Sequence, residues 1–291
     1  MKSEARAAFF FLAPALTVIS IFFLIPVLAG FVLSLTDFDI YALADTRNIR
    51  FVGLDQYKAL ANSPVFWTAM RNTIVFALVA GPLTVCASLG AALLLNAKLS
   101  PWKSLFRTIY FAPVVTTLVA VAIVWRYMFH PRFGLLNTVI GWFGVSPIDW
   151  LGDPKWALFA IVILAVWKNF GYNMIIFVAG LQSVPDELYE AAKIDGAGAI
   201  RQFRHITLPM LGPTFVFVGV ITAIGYLQLF AEPYVMTPEG GPLNSTLSVV
   251  MLMYREGFRW WSMGNAAAIA FVLFLVIVAA SLAQLKLRRS A

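Results

Sequence analysis

Residues 187–209 read ELYEAAKIDGAGAIRQFRHITLP. The stretch holds six charged residues and a histidine, yet it lies between two of the most apolar runs of the chain. A water-loving helix in that setting must lie outside the bilayer. An ordered helix there has something to dock against, so what surrounds it decides the fold.

The surroundings are those of a membrane protein. The 291 residues are 61% hydrophobic and 12% charged, with a mean hydropathy of +0.84. Soluble domains carry about 25% charged residues, so most of this chain cannot face water. Cys86 is the only cysteine and forms no internal disulfide; it reads as a small buried hydrophobe. His130 and His205 are far apart and neither has a second ligand at metal-binding spacing, which argues against a metal site. The net charge of +7 is better explained by cytoplasmic loop charge than by nucleic-acid binding.

A helix needs about 20 apolar residues to span the hydrocarbon. Six stretches meet or approach that length: Phe9–Leu35, Thr73–Leu95, Thr108–Met128, Trp156–Gly180, Gly212–Phe230 and Ala266–Leu285. The first is too long for the apolar region of a signal peptide and reads as a retained helix, with Pro14 and Pro26 as kinks or end markers. Six spans put both termini on one side. With the N-terminus inside, the inner segments hold eleven basic and five acidic residues, against ten and nine outside. Lys98, Lys103 and Arg107 crowd one short inner loop. The expected topology is N-in, C-in. The outer loops, Thr36–Asn72, Phe129–Lys155 and Ala231–Asn265, are rich in Trp, Phe, Pro and Gly, with short interfacial helices expected at Leu54–Leu60 and Phe133–Phe143. The expected fold is an all-α integral membrane bundle in one domain, 1–291.

The inner loop at about 181–211 is the long one. SVPDELYEAAKIDG, residues 183–196, reads as a complete short helix. Pro185 suits the first turn, Asp186 and Glu187 complement the positive end of the helix dipole, and Gly196 is placed as a C-terminal stop. A second short helix is expected around Ala199–Arg204, and Pro209 is expected to break the chain before the fifth span. A solvated connector would need only a few residues. The length of this loop and its ridge of small residues, Ala191, Ala192, Gly196 and Ala197, favour docking.

Glu190-Ala191-Ala192, Gly196 after three residues, and Ile206-x-Leu208-Pro209 after nine more resemble the EAA loop of ABC-importer permeases. APALTVISIFFLIPVLAGFVLSLTDF, FVGLDQY, GYNMIIFVAGLQSVPDELYEAAKIDGA and GGPLNST resemble the sugar-importer branch, specifically the first permease of maltose-type transporters. The resemblance covers essentially the whole sequence. It implies a type I ABC importer permease bundle in a bacterial or archaeal cytoplasmic membrane. It implies a second permease subunit forming a heterodimer, a cytoplasmic ATPase dimer carrying ATP and Mg, and an extracytoplasmic substrate-binding protein. It makes the EAA segment a coupling helix, with Glu190, Ala191, Ala192 and Gly196 at its centre and Glu187 and Asp195 flanking them. Larger members carry N-terminal helices and a periplasmic insertion absent from this sequence, so contacts with a binding protein are expected on shorter loops.

No G-x-x-x-x-G-K-[ST] loop occurs. The chain is expected to hold no cofactor and to be a path, with ATP hydrolysed elsewhere. Polar groups at membrane depth mark such a path, because a lysine at the centre of a span costs about 2.5–3.5 kcal/mol on insertion scales. The fourth span offers Lys168, Asn169, Tyr172 and Asn173, and the fifth Thr222, Tyr226 and Gln228. Rings beside amides and hydroxyls suit a sugar. The same groups also serve interhelical hydrogen bonds, and Lys168 can snorkel, face an anionic group or meet the partner subunit. A self-contained secondary transporter would require paired acids within the spans, and a membrane enzyme a catalytic cluster; the sequence offers neither.

Overall fold

The structure is a computed structural model that describes residues 2–45, 47, 49–96 and 103–289. Lys98, assigned above to the inner loop, lies outside the described residues. Among those residues β pairing is confined to one isolated antiparallel bridge, Thr36 with Phe51. Four helices are long and apolar enough to cross a membrane: Phe9–Ser34, Pro64–Asn96, Pro154–Gln182 and Met263–Lys286. Two further spans are bent, Ser104–Val115 with Leu118–Met128 at 99° and Ala199–Met210 with Gly212–Leu227 at 64°. Counting each bent pair once gives the six spans expected. The chain divides into two compact units, residues 1–66 with 252–274 and residues 67–251 with 275–291.

In the first unit, the helical run through Ser34 widens into a π turn at Ser20–Leu24, where the Ile25 amide reaches back to the Ser20 carbonyl. Pro26 follows directly, and a proline ring clashes with the carbonyl four residues earlier. The wider turn relieves that clash, so the span continues where the sequence reading allowed a kink or an end. Beyond it, the Phe31 ring packs 5.0 Å from Phe271 and the Ser34 hydroxyl lies 2.7 Å from the Tyr57 hydroxyl. The short helix Asp55–Ala61 falls where an interfacial helix was expected.

The second unit is organised around Pro154–Gln182. Half of its most apolar window is buried, against none of that in Phe9–Ser34. One end packs Ile161 and Leu164 with Phe76, Trp125, Phe129 and Trp150. The other packs Met174 and Phe177 with Ala91, Leu95, Leu211 and Val218. Gly171 lets this helix approach Lys103–Val115 closely, since a Cβ there would collide with the Tyr110 carbonyl oxygen. Cys86 is exposed, not buried as the sequence suggested. On a span, an apolar residue facing outward meets lipid or a partner, so burial inside the chain is not required of it.

The third span departs most from expectation. Pro113 has no amide proton, the Thr116 hydroxyl donates to the Pro113 carbonyl at 2.6 Å, and Thr117 adopts an extended conformation. The helix stops at Val115 and restarts at Leu118 in a new direction. Beyond it, the loop leading to Pro154 is held by one buried amide. Asn137 donates to the Pro131 and Ile148 carbonyls at 3.0 and 2.8 Å, and accepts from the Ile148 amide and the Trp150 indole at 3.2 and 2.9 Å. Removing such a partner strands buried groups at about 1–3 kcal/mol each. Asn137→Ala should therefore lower stability by more than about 2 kcal/mol, read as a fall in the thermal unfolding midpoint in detergent.

Candidate functional site

The charged segment forms the helix Asp186–Ile194, and none of its residues is buried. Pro185 sits one position before the first turn, at the N-cap, with Asp186 and Glu187 opening the helix. Asp195 is the C-cap, and Gly196 takes φ +74°, a left-handed conformation open to glycine at little cost. The Gly196 amide donates to Lys193 at 3.0 Å and the Ala197 amide to Ala192 at 2.8 Å. These two bonds are the complete Schellman closure. The stop that composition placed at Gly196 is thus present in full.

After this turn the chain runs Ala199–Gln202, a π turn at Phe203–Thr207, and Leu208–Met210. The sequence reading had Pro209 break the chain. Instead the Leu208 amide bonds five residues back to Phe203, absorbing the proline as at Pro26, and the bend falls at Leu211. The Tyr189 hydroxyl lies 2.9 Å from the Thr207 hydroxyl and ties the helix Asp186–Ile194 to the approach to the fifth span. Sequence reasoning missed two residues on this surface. Ile194 is 87% exposed and Ile200 78% exposed, flanking the small-residue turn. Isoleucine in a charged loop was the available signal.

The polar residues at membrane depth separate into two groups. Lys168 is buried, and its ammonium donates to the carbonyls of Pro113, Val114 and Thr116 at 2.6, 3.2 and 2.8 Å. It therefore caps the carbonyls freed at the break in the third span. Asn169 donates to Ala165 of its own helix at 2.9 Å. Asn173 donates to the Thr222 hydroxyl at 2.9 Å, joining the fourth and fifth spans. The Tyr226 hydroxyl lies 2.7 Å from that of Thr84 and donates to the Ala165 carbonyl at 3.3 Å. In contrast, Tyr172 and Gln228 are exposed. The structure joins Asn173 with Thr222 and builds Tyr226 and Lys168 into the framework. It leaves Tyr172 and Gln228 open. Glu232, in the helix Ala231–Met236, is not among the residues the sequence marked for the path. Burial raises its carboxyl above the ordinary range, and the charge of Lys168 opposes that rise.

A cleft of about 430 Å³ opens in the second unit along Ile74–Val85, Gly219–Leu227 and Val276–Gln284. Its walls are apolar apart from Thr222 and Gln284, so it offers few partners to a polyhydroxylated solute. It does not include Lys168, Tyr172 or Tyr226.

A family model described as "Binding-protein-dependent transport system inner membrane component" matches residues 84–290. The chain belongs to this family. It is 37% identical over 289 residues to the arabinooligosaccharides transport system permease protein AraP of Bacillus subtilis (strain 168), covering 99% of this chain and 90% of that protein. It is 39% identical over 278 residues to the lactose transport system permease protein LacF of Rhizobium radiobacter, covering 94% and 91%. A bacterial ABC transporter involved in the import of the acidic polysaccharide alginate shares the fold at a TM-score of 0.76, with 21% identity over 99% of this chain and 96% of that one. The chain is thus a multi-pass permease of the cytoplasmic membrane with the type I importer fold. It is the translocation subunit of an importer that works with a binding protein, and ATP hydrolysis belongs to a separate subunit.

Lys168→Met should remove three charge-assisted bonds and destabilise the bent third span by at least about 2 kcal/mol. The check is chemical or thermal unfolding of the purified complex, with Lys168→Arg expected to recover part of the loss.

Proposed function

We propose that this permease moves a sugar or short oligosaccharide into the cytoplasm by alternating access, driven through the segment at about 181–211. One observation carries the mechanism: a nine-residue helix with no buried residue, closed by a Schellman turn, is flanked by exposed isoleucines and leads into the fifth span. Such a helix fits a groove on a soluble partner. Glu187, Glu190 and Asp195 offer carboxylates to basic side chains, Ala191 and Ala192 permit close approach, and Gly196 turns the chain away.

On this reading the chain is one permease domain, N-in and C-in, paired with a second permease as a heterodimer. ATP and Mg reside on a cytoplasmic ATPase dimer. Closure of that dimer moves the coupling helix, and the Tyr189–Thr207 contact passes the motion toward the fifth span. The sugar cargo is supported by relatives named for arabinooligosaccharides and lactose. Tyr172 and Gln228, being exposed, are the residues of the predicted path best placed to meet cargo or the partner permease. Lys168, Asn169, Asn173, Thr222 and Tyr226 hold the framework that presents them.

Valine at a left-handed position is strained. Gly196→Val in the complete transporter should reduce sugar uptake into proteoliposomes at least tenfold and abolish stimulation of ATP hydrolysis by the loaded binding protein. Binding-protein affinity should stay within about twofold of wild type. Full uptake by a properly assembled variant would remove the coupling role. Tyr172→Ala should lower uptake about tenfold with basal ATP hydrolysis unchanged, a rise of about 1.4 kcal/mol in the transport barrier; unchanged uptake would take Tyr172 off the path.

A further inference from the structure

The half of the third span beyond its bend, Leu118–Met128, has two faces. Val121, Ala122 and Trp125 are buried in the core of the second unit. Val119, Ile123 and Arg126 fall at i, i+4 and i+7 and share the opposite, exposed face. His130 follows one turn on, exposed like Tyr127 beside it. Ile123, Arg126, Tyr127 and His130 line a recess of about 240 Å³.

The recess is lined by hydrogen-bond donors. The Arg126 guanidinium is steadied by one long contact, Nη1 to the Val235 carbonyl at 3.5 Å, which leaves most of its five N–H groups to point elsewhere. Among the described residues no carboxylate forms an ion pair with Arg126, and no group bonds the Tyr127 hydroxyl. His130 accepts at Nδ1 from the Arg132 and Phe133 amides, both at 3.2 Å, so the ring proton sits on Nε2 and is offered outward. The Phe133 ring stacks on the imidazole at 5.2 Å and 20°, which fixes its plane. Arg132, exposed two residues on, adds to the positive field. A cation with no anion of its own beside two further donors suits an oxyanion supplied from outside the chain.

The surroundings say what carries that oxyanion. The exposed face is apolar at Val119, Ile123 and Val124 and turns polar only at Arg126, in the last turn of the span. Tyr127 and Trp142 are both exposed, and such side chains gather where a bilayer meets water. A phospholipid has the same polarity, an anionic group above an aliphatic chain. Faces that pack against another span are rich in small residues. The cleft lined by Ala77, Gly81, Gly219, Ala223 and Ala280 fits that description, whereas the face of Val119, Ile123, Val124 and Tyr127 does not. A zwitterionic headgroup would also bring an ammonium, for which the recess holds no carboxylate.

We propose that this recess is a lipid site, binding the phosphodiester of an anionic phospholipid such as phosphatidylglycerol through Arg126, Tyr127 and His130, with Val119 and Ile123 against the acyl chain. It is separate from the residues of the predicted path, and it stands whatever the cargo is.

The test uses the complete, delipidated transporter, titrated with short-chain phosphatidylglycerol or phosphatidylcholine while bound lipids are counted by native mass spectrometry. Wild type should carry one phosphatidylglycerol more than Arg126→Gln. The midpoint of that added lipid should rise at least about tenfold in the variant, as the loss of a charge-assisted contact implies. Ile123→Trp, at an exposed position, should abolish it by filling the recess. Inorganic phosphate at equal concentration should not displace it. Equal lipid counts and midpoints in wild type, Arg126→Gln and Ile123→Trp would overturn the site. Equal retention of phosphatidylcholine would overturn its anionic preference, and displacement by phosphate alone would overturn a lipid as its source. Displacement by the binding protein, with that protein's docking weakened in Arg126→Gln, would also overturn it and assign the recess to protein contact. Loss of the second permease from the Arg126→Gln complex would overturn it in favour of subunit packing.

Discussion

The ammonium of Lys168 and the three carbonyls at the break in the third span solve one another's problem. A charge within a span is expensive, and so is a backbone carbonyl left unpaired in hydrocarbon. The half-helix Lys103–Val115 ends with orphan carbonyls and the negative end of its dipole. Lys168 brings a cation with three protons to that end. One helical turn further along, Gly171 permits the close approach that puts the cation within reach. The 99° bend is stable because of this arrangement, and the outer core of Trp125, Phe129 and Trp150 is built on the half-helix it redirects. The buried polar groups nearby extend the same logic. Ser88 donates to the Phe170 carbonyl, Asn173 to Thr222, and Tyr226 to Ala165, so these three side chains each find a partner in a neighbouring helix.

The helix Asp186–Ile194 answers a different constraint. None of its residues is fully buried within its own chain, so its shape is held largely by local means. Acidic residues open it, a Schellman turn closes it, and Tyr189 anchors it to Thr207. Such a unit keeps its form while its outer surface stays free for an external contact. Membership in a binding-protein-dependent importer family gives that free surface a rationale that composition alone did not supply.

Hydropathy made the six spans legible, because twenty apolar residues have few alternatives to crossing a bilayer. Gly196 was legible because positive φ is a local property of one residue. The role of Lys168 was not. Its partners lie 52 to 55 positions away, and nothing local announces that the third span will break after Val115. The same holds for Asn137, whose amide reaches Pro131 and Ile148 across a loop with no regular period. Pro26 and Pro209 misled in the opposite direction. Each looked like a breaker, and each is accommodated by a wider turn just before it. The path residues were recognised by cost alone, which marks a polar group as necessary without saying whether it meets a neighbour or a solute.

The wide turn at Ser20–Leu24 also changes what the first span can present to its surroundings. One residue beyond the α-helical count rotates everything after it by about 100° around the axis. The stripe of Phe9–Ile19 and the stripe of Ile25–Ser34 are thus out of phase. Phe31 turns toward Phe271, while Phe10 and Phe11, at 76% and 81% exposure, are aimed elsewhere. A single rod acquires two apolar fronts, able to lie against two different neighbours at two depths of the membrane.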